Sequence, residues 1–260
     1  MIKGILEQIN KSKLRTLPFP HFIINNLIPK KKLLLLNKVL PNFDEINDEK
    51  IYFQSKSKTK KTLLPSSKQY RKLRNNKYFC DLNSIFKKIK PAVIKKFESA
   101  ININVKKQYQ KAKLKYHSTY NVMNSGYKKS AHLDRRDHLV HMLYYPKTEY
   151  QKGGNIQIFS LKNKKKIFDI FPAYKNLKVI NTYKVKNNFC LFTLNVPWSY
   201  HGVTKYYGKN RKYFYAVYDF VSRSNGTKLK NRLKGNNENN FWNDKVHILS
   251  KSRKQNFFTE

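Results

Sequence analysis

Residues 132–159 read HLDRRDHLVHMLYYPKTEYQKGGNIQIF, and the reading of this stretch decides the fold. Its apolar residues fall into short β-branched and aromatic runs at 139–145 and 155–159, with Gly153-Gly154 between them. That is the pattern of strands separated by a turn. Outwards from here the same texture recurs at 113–122, 132–134, 179–185, 189–194 and 213–221, with Asn187-Asn188 as another turn signal. Many short strands without intervening helices predict a double-sheet jelly roll of the cupin kind, a double-stranded β-helix, over residues 101–222.

The flanks read differently, so the expected fold is mainly β with flanking helices. Residues 1–100 form an N-terminal helical region with loops. Pro18 to Ile24 reads as extended. Pro29 opens a helix reaching Leu40, whose apolar side carries Leu33, Leu36, Val39 and Leu40. Residues 54–69 are basic and interrupted by Pro65, which predicts a loop. Asp81-Leu82-Asn83-Ser84 offers capping side chains ahead of Ile85, Phe86, Ile89, Val93, Ile94 and Phe97 at helical spacing, with Pro91 set to kink or split that helix. Residues 223–260 form a basic, asparagine-rich extension, in which Phe241, Trp242, Val246 and Ile248 are the apolar docking candidates.

With 40% hydrophobic and 14% aromatic residues among 260, the chain can bury a sizeable core, which excludes disorder throughout. Its two cysteines, Cys80 and Cys190, match no zinc or disulfide framework and read as small core residues of a reducing compartment. The amino terminus lacks the apolar segment of a secretory signal. No apolar run, Leu33 to Leu36 among them, is long enough to span a bilayer. A cytoplasmic protein without a membrane span is the expectation. Fifty-five Lys and Arg against 15 Asp and Glu give a net charge of +40. A polyanion-facing surface would need such charge, but so would a solvated lysine coat produced by drift towards A/T-rich codons, and charge alone does not separate the two.

Chemistry enters with His132-Leu133-Asp134. On a strand, residues i and i+2 share a face, so this imidazole and carboxylate converge. Chance alone would supply about 0.2 occurrences of His-x-Asp in a chain of this composition, so the motif needs its context. A distant strand of a barrel can return beside the first and bring His201 to it. Two histidines and one carboxylate on one face form the facial triad of non-haem iron(II) oxygenases, which leaves coordination positions open for cosubstrate and dioxygen. Arg211, ten residues after His201, opens the strand RKYFYAVYDF, where a guanidinium can grip a small dicarboxylate through paired hydrogen bonds.

Residues 132–159 together with NVPWSYHGVTKYYGKNRKYFYAVYDF at 195–220 resemble the catalytic core of the iron(II)/2-oxoglutarate-dependent dioxygenases, and most of all their prolyl-hydroxylase-like branch. The likeness spans roughly residues 115–222, with a fainter echo in FPHFIINNLIP at 19–29. It implies that His132, Asp134 and His201 bind Fe(2+) and that Arg211 holds the distal carboxylate of 2-oxoglutarate. Tyr145 matches a position that often hydrogen-bonds the same carboxylate, although a core aromatic fits that position equally well. Ascorbate is a further candidate cofactor. The implied reaction couples oxidative decarboxylation of 2-oxoglutarate, giving succinate and CO2, to hydroxylation of a substrate C–H bond.

Other residues carry less. His138 and His141 are three apart, so on a regular strand they face opposite ways. Arg135 and Arg136 read as solvated turn charges, with Asp137 as a partner for one of them. Trp198 and Tyr200 either wall the site or pack beside it. Gly153-Gly154 is a structural turn permitting close backbone approach. Two other functions remain open at this point: an inactive jelly-roll scaffold that binds polyanions such as nucleic acid, and a metal-dependent isomerase or hydrolase of the cupin kind. The substrate, a small molecule or a polymer, is not legible; the basic surface points to an anionic one.

Overall fold

A computed structural model describes residues 1–47, 59–135, 138–147, 152–162, 171–220 and 242. Its helices are α1 (Ile2–Lys11), α2 (Lys30–Val39), α3 (Lys68–Leu73), α4 (Lys77–Lys88), α5 (Lys90–Lys96), α6 (Glu98–Asn104) and α7 (Lys107–Gln110). The strands are β1 (His21–Asn25), β2 (Lys60–Leu63), β3 (Leu114–Met123), β4 (Lys129–His132), β5 (His138–Lys147), β6 (Lys152–Gly153), β7 (Ile156–Leu161), β8 (Leu177–Tyr183), β9 (Phe189–Leu194), β10 (His201–Val203), β11 (Tyr206–Tyr207) and β12 (Arg211–Phe220).

The strands form a six-stranded sheet, β1-β9-β5-β12-β3-β2, a four-stranded sheet, β4-β10-β7-β8, and the small pair β11-β6. All their pairings are antiparallel. From β4 onwards the chain passes repeatedly between the two larger sheets, as a jelly roll requires. Alternation along β12 explains the layering. Phe214, Ala216, Tyr218 and Phe220 join a core shared with the helices, where Phe79 meets Phe214 and Phe86 meets Tyr144. Tyr213, on the other face, packs with Tyr145, Met123 and Ile156 between the sheets. The molecule is therefore helices, large sheet and small sheet in sequence, with a polar site in the second gap.

Several expectations hold and several are corrected. The helix from Pro29 forms, and Pro91 divides α4 from α5, sitting in the first turn of the second helix where no N–H is required. The first of these two helices begins at Lys77 instead of after Asp81, because the Asn76 side chain accepts from Tyr78 N at 2.9 Å and caps it. Asp81 lies inside that helix and pairs with Lys32 at 2.8 Å. The expected loop at 54–69 contains β2, an edge strand in which lysines are tolerated because one side faces solvent; residues 54–58 lie outside the described residues. The N-terminal region thus adds β1 and β2 to the large sheet. Cys190 is buried, but Cys80 is exposed and donates to Arg74 O. Of the extension at 223–260 only Trp242 is described; it is buried and bridges Val105. Phe241, Val246 and Ile248 lie outside the described residues. No described helix is long and apolar enough to cross a membrane.

Asn188 fastens the N-terminal region to the sheet. Its backbone sits at φ +60°, which asparagine tolerates better than most residues. Its side chain accepts from Ile28 N at 3.1 Å and Tyr144 Oη at 3.0 Å, and donates to Ile28 O at 2.6 Å. Asn188→Ala removes all three bonds in a buried place, and should destabilise the fold by about 2–4 kcal/mol. Urea denaturation of the two proteins measures it; a loss below about 0.5 kcal/mol would show the fastening to be unimportant.

Candidate functional site

The turn after β4 places Asp134 between the two sheets, and antiparallel pairing sets His201 of β10 directly opposite His132 of β4. The two imidazole centroids are 4.5 Å apart. One ligand atom from each of His132, Asp134 and His201 falls within a 4.8 Å group. Asp134 Oδ1 is 3.5 Å from His132 Nε2, and Oδ2 is 3.3 Å from His201 Nε2. Both imidazoles are oriented the same way: His132 Nδ1 is 2.9 Å from Ser130 O, and His201 Nδ1 is 3.0 Å from Ser199 O. A carbonyl can only accept, so each Nδ1 carries the proton and each Nε2 presents its lone pair to the carboxylate side.

This donor set fits a divalent metal. Asp134 Oδ2 is buried and accepts no well-aligned hydrogen bond, even though His141 Nδ1 lies 2.7 Å away. Burial, reinforced by the neighbouring His201, pushes His132 down to about 4, so it is neutral at neutral pH, the form that ligates. Burial alone would raise Asp134, but His141 and His201 outweigh it and hold the carboxyl well below its ordinary range. For His201 burial works downward and Asp134 prevails, giving a net upward shift. Two nitrogens and an anionic oxygen on one side of the metal suit iron(II) and its neighbours in the first transition row.

Arg211 occupies the same gap between the sheets. It is 2% exposed, and no described carboxylate lies within ion-pair distance of it. Its Nη1 donates to Gly154 O at 2.5 Å and Nη2 to Gly153 O at 3.3 Å, while the guanidinium sits 4.1 Å from the Tyr206 ring centroid. Its Nε is buried without an acceptor. Gly154, at φ +65°, makes room for this arrangement, since a Cβ there would lie 2.0 Å from Arg211 Nη1. Tyr145 is on the same side of the large sheet, stacked 5.4 Å from Tyr213, whereas Tyr144 turns towards the helices. Burial pushes the Tyr145, Tyr127 and Tyr213 hydroxyls upward, so they remain protonated donors at neutral pH.

One expectation fails here. His138 and His141 do share a face, with ring centroids 5.2 Å apart. The register of β5 on β12 slips between Tyr218 and Asp219, pairing Val140 with Tyr218 but His138 with Asp219. Leu139 is the extra residue of a β-bulge, and it joins Val140 in the helix-side core. Tyr200 is fully buried with Ala131, Phe159 and Leu177, a packing role, and Trp198 packs partly buried against the helix-side core. Arg135 is exposed; Arg136 and Asp137 lie outside the described residues.

Asn195, which sequence reading passed over, positions both histidine-bearing segments. Its Nδ2 donates to Arg135 O at 2.7 Å and His138 O at 2.9 Å, while its Oδ1 accepts from Ser199 Oγ at 3.2 Å, two residues before His201. Only a buried amide in a strand-to-turn position hints at this role.

No protein-family model and no curated protein sequence matches the chain. Among solved structures it is similar to a prolyl-4-hydroxylase of Pseudomonas putida, at 10% identity and a TM-score of 0.46, over 85% of this chain and 100% of that one. It is similar also to a prolyl 4-hydroxylase of Phytophthora capsici, at 12% identity and a TM-score of 0.48, over 90% and 75%. A Trichoplax adhaerens prolyl hydroxylase, solved with a peptide fragment of the hypoxia inducible factor oxygen degradation domain, aligns at 14% identity and a TM-score of 0.42, over 90% and 92%.

The closeness of β4 and β10 is itself testable. A Cβ on Gly202 would lie 2.7 Å from Lys129 O and 3.2 Å from Ala131 N, backbone atoms that cannot turn aside. Gly202→Ala should part the strands, separate His132 from His201, and weaken Co2+ binding by roughly 10–100-fold, the range seen when ligand-orienting neighbours are lost. Calorimetric titration reads this in the Co2+ equivalent that Asp134→Ala removes; wild-type affinity for that equivalent in a folded Gly202→Ala protein would contradict it.

Proposed function

We propose that the chain is an iron(II)- and 2-oxoglutarate-dependent dioxygenase that hydroxylates a C–H bond. His132, Asp134 and His201 hold the iron, and Arg211 with Tyr145 receives the distal carboxylate of 2-oxoglutarate. The observation that carries the reading is Arg211, a buried guanidinium with no described counter-ion, in the same gap between sheets as a two-histidine, one-carboxylate group. Arginine keeps its charge when buried, and an uncompensated buried charge costs several kcal/mol, so an anionic ligand is its natural partner.

Iron held by His132, Asp134 and His201 would supply the oxidising chemistry, in which one oxygen atom of dioxygen ends in succinate, released with CO2, and the other in the hydroxylated substrate. The chain's own residues do the positioning. The Ser130 and Ser199 carbonyls fix the two imidazole tautomers. The Gly153 and Gly154 carbonyls steer the guanidinium. Tyr145 offers a hydroxyl that stays protonated, as a donor to a carboxylate must. The surrounding Tyr127, Tyr206 and Tyr213 rings are buried and exclude water, which strengthens the charge-assisted bonds to the ligand.

Purified protein should convert 2-oxoglutarate to succinate with iron(II) and oxygen, slowly even without its true substrate, and His132→Ala should abolish this. Under anaerobic conditions, Arg211→Met should bind 2-oxoglutarate at least about thirtyfold more weakly while keeping its iron, the scale of removing one partner from a buried charged pair. Gly154→Ala should act the same way by displacing the guanidinium. Wild-type 2-oxoglutarate affinity in Arg211→Met, or no succinate from the iron-loaded wild type, would overturn the reading.

A further inference from the structure

A second imidazole–carboxylate group lies in the large sheet, and the proposed reaction leaves it unused. His117 of β3, Asp219 of β12 and His138 of β5 stand on three adjacent strands. Asp219 pairs directly with His138, while His117 pairs with Val217, two residues along the same face. One ligand atom from each of the three falls within a 4.8 Å group. His117 Nδ1 is 2.8 Å from Asp219 Oδ2, and His138 Nε2 is 3.4 Å from Asp219 Oδ1.

Two details point to a ligand. Asp219, 7% exposed, has its Oδ1 buried without a hydrogen-bond donor, a costly position for a carboxylate oxygen. The atom it faces is His138 Nε2, and the two do not form a hydrogen bond with each other. His138 Nδ1 is 2.9 Å from the Tyr215 hydroxyl, whose oxygen can accept from Nδ1–H. In that tautomer His138 Nε2 directs a lone pair towards Asp219 Oδ1, and two acceptors so placed are bridged by a positive centre. Their 3.4 Å separation is the edge of a tetrahedron with metal–ligand bonds of about 2.1 Å.

We propose that His117, His138 and Asp219 form a second binding site, for a divalent first-row transition metal of the zinc and cobalt kind, separate from the group at His132, Asp134 and His201. Two imidazoles and one carboxylate are the donor set such ions prefer over magnesium or calcium. His117, whose side chain is 35% exposed, gives the ion its route from solvent and leaves a coordination position for water. The ion replaces the His117–Asp219 hydrogen bond and ties β3, β12 and β5 together. The two sites abut through His141, whose ring is 5.2 Å from that of His138 and whose Nδ1 is 2.7 Å from Asp134 Oδ2.

The test is the Co2+ stoichiometry of the full chain after chelator treatment, by calorimetry and elemental analysis. Wild type should bind two equivalents. His117→Ala, a change at a partly exposed position, should lose one, and so should Asp219→Asn, which keeps the side-chain shape; circular dichroism checks that both are folded. Asp134→Ala should lose the other, and Asp134→Ala with His117→Ala should bind none. A wild type that binds no cobalt, or His117→Ala and Asp219→Asn proteins that both keep the full wild-type stoichiometry, would overturn the proposal. One wild-type equivalent removed by Asp134→Ala but not by His117→Ala overturns it too. One equivalent removed by His117→Ala and untouched by Asp134→Ala upholds it, and it is then the iron site that fails.

Discussion

Strand β12 hydrogen-bonds to β3 along one edge and to β5 along the other, while both of its faces are covered. No residue in it is free to serve only solvent, so its alternation sorts the whole molecule. Even-numbered residues from Phe214 to Phe220 anchor the helices through aromatic contacts and the Tyr218 hydroxyl bond to Phe86 O. Odd-numbered ones from Arg211 to Asp219 supply a cation, phenols and a carboxylate to the gap between the sheets. Shifting this strand by one residue would put Arg211 and Asp219 among phenylalanines. The apolar face therefore holds the polar one in register, and the chemistry of the gap rests on packing that it does not touch.

Sequence reading reached the jelly roll because aromatic and β-branched runs bounded by turn residues are a local signal. It paired His132 with Asp134 and picked out Arg211 because i, i+2 geometry and strand-opening positions are local too, whereas His201 entered as the contribution of a distant strand, in line with the family resemblance of the motifs. The structure brings the first three together, and sets Arg211 in the same gap. What escaped was longer in range or irregular. Asp219 has the parity of Arg211 along one strand, so it could have been assigned to the gap; nothing local says that His117 lies beside it. The start of α4 differs from the reading because Asn76 has the same capping chemistry as Asp81, and choosing between them depends on which face meets Tyr70 and Phe214. The strand β2 was missed because an edge position excuses its lysines.

Part of the large positive charge is internal in purpose. Lys212, buried, donates to Leu40 O just past the end of α2, and Lys96 donates to Asn10 O and Ser12 O at the end of α1. Lys61 and Lys90 reach Ile46 O and Leu114 O. Carbonyls at a helix C-terminus lack intrahelical donors and carry partial negative charge, so an ammonium group satisfies both deficits. These lysines act as tethers between backbone segments, and the net charge of +40 overstates the surface offered to any polyanion.

The bulge at Leu139 bears on how kindred chains would be found. It absorbs one residue, so His-x-x-His in this strand delivers the same paired imidazoles that His-x-His would deliver from a regular one. A one-residue deletion at Leu139 would leave the histidine pair where it is and merely straighten the strand. Two spacings therefore encode one arrangement, and a pattern written for either would overlook chains built on the other. Comparison across distant homologues has to follow backbone register, because counting letters between histidines misleads at this position.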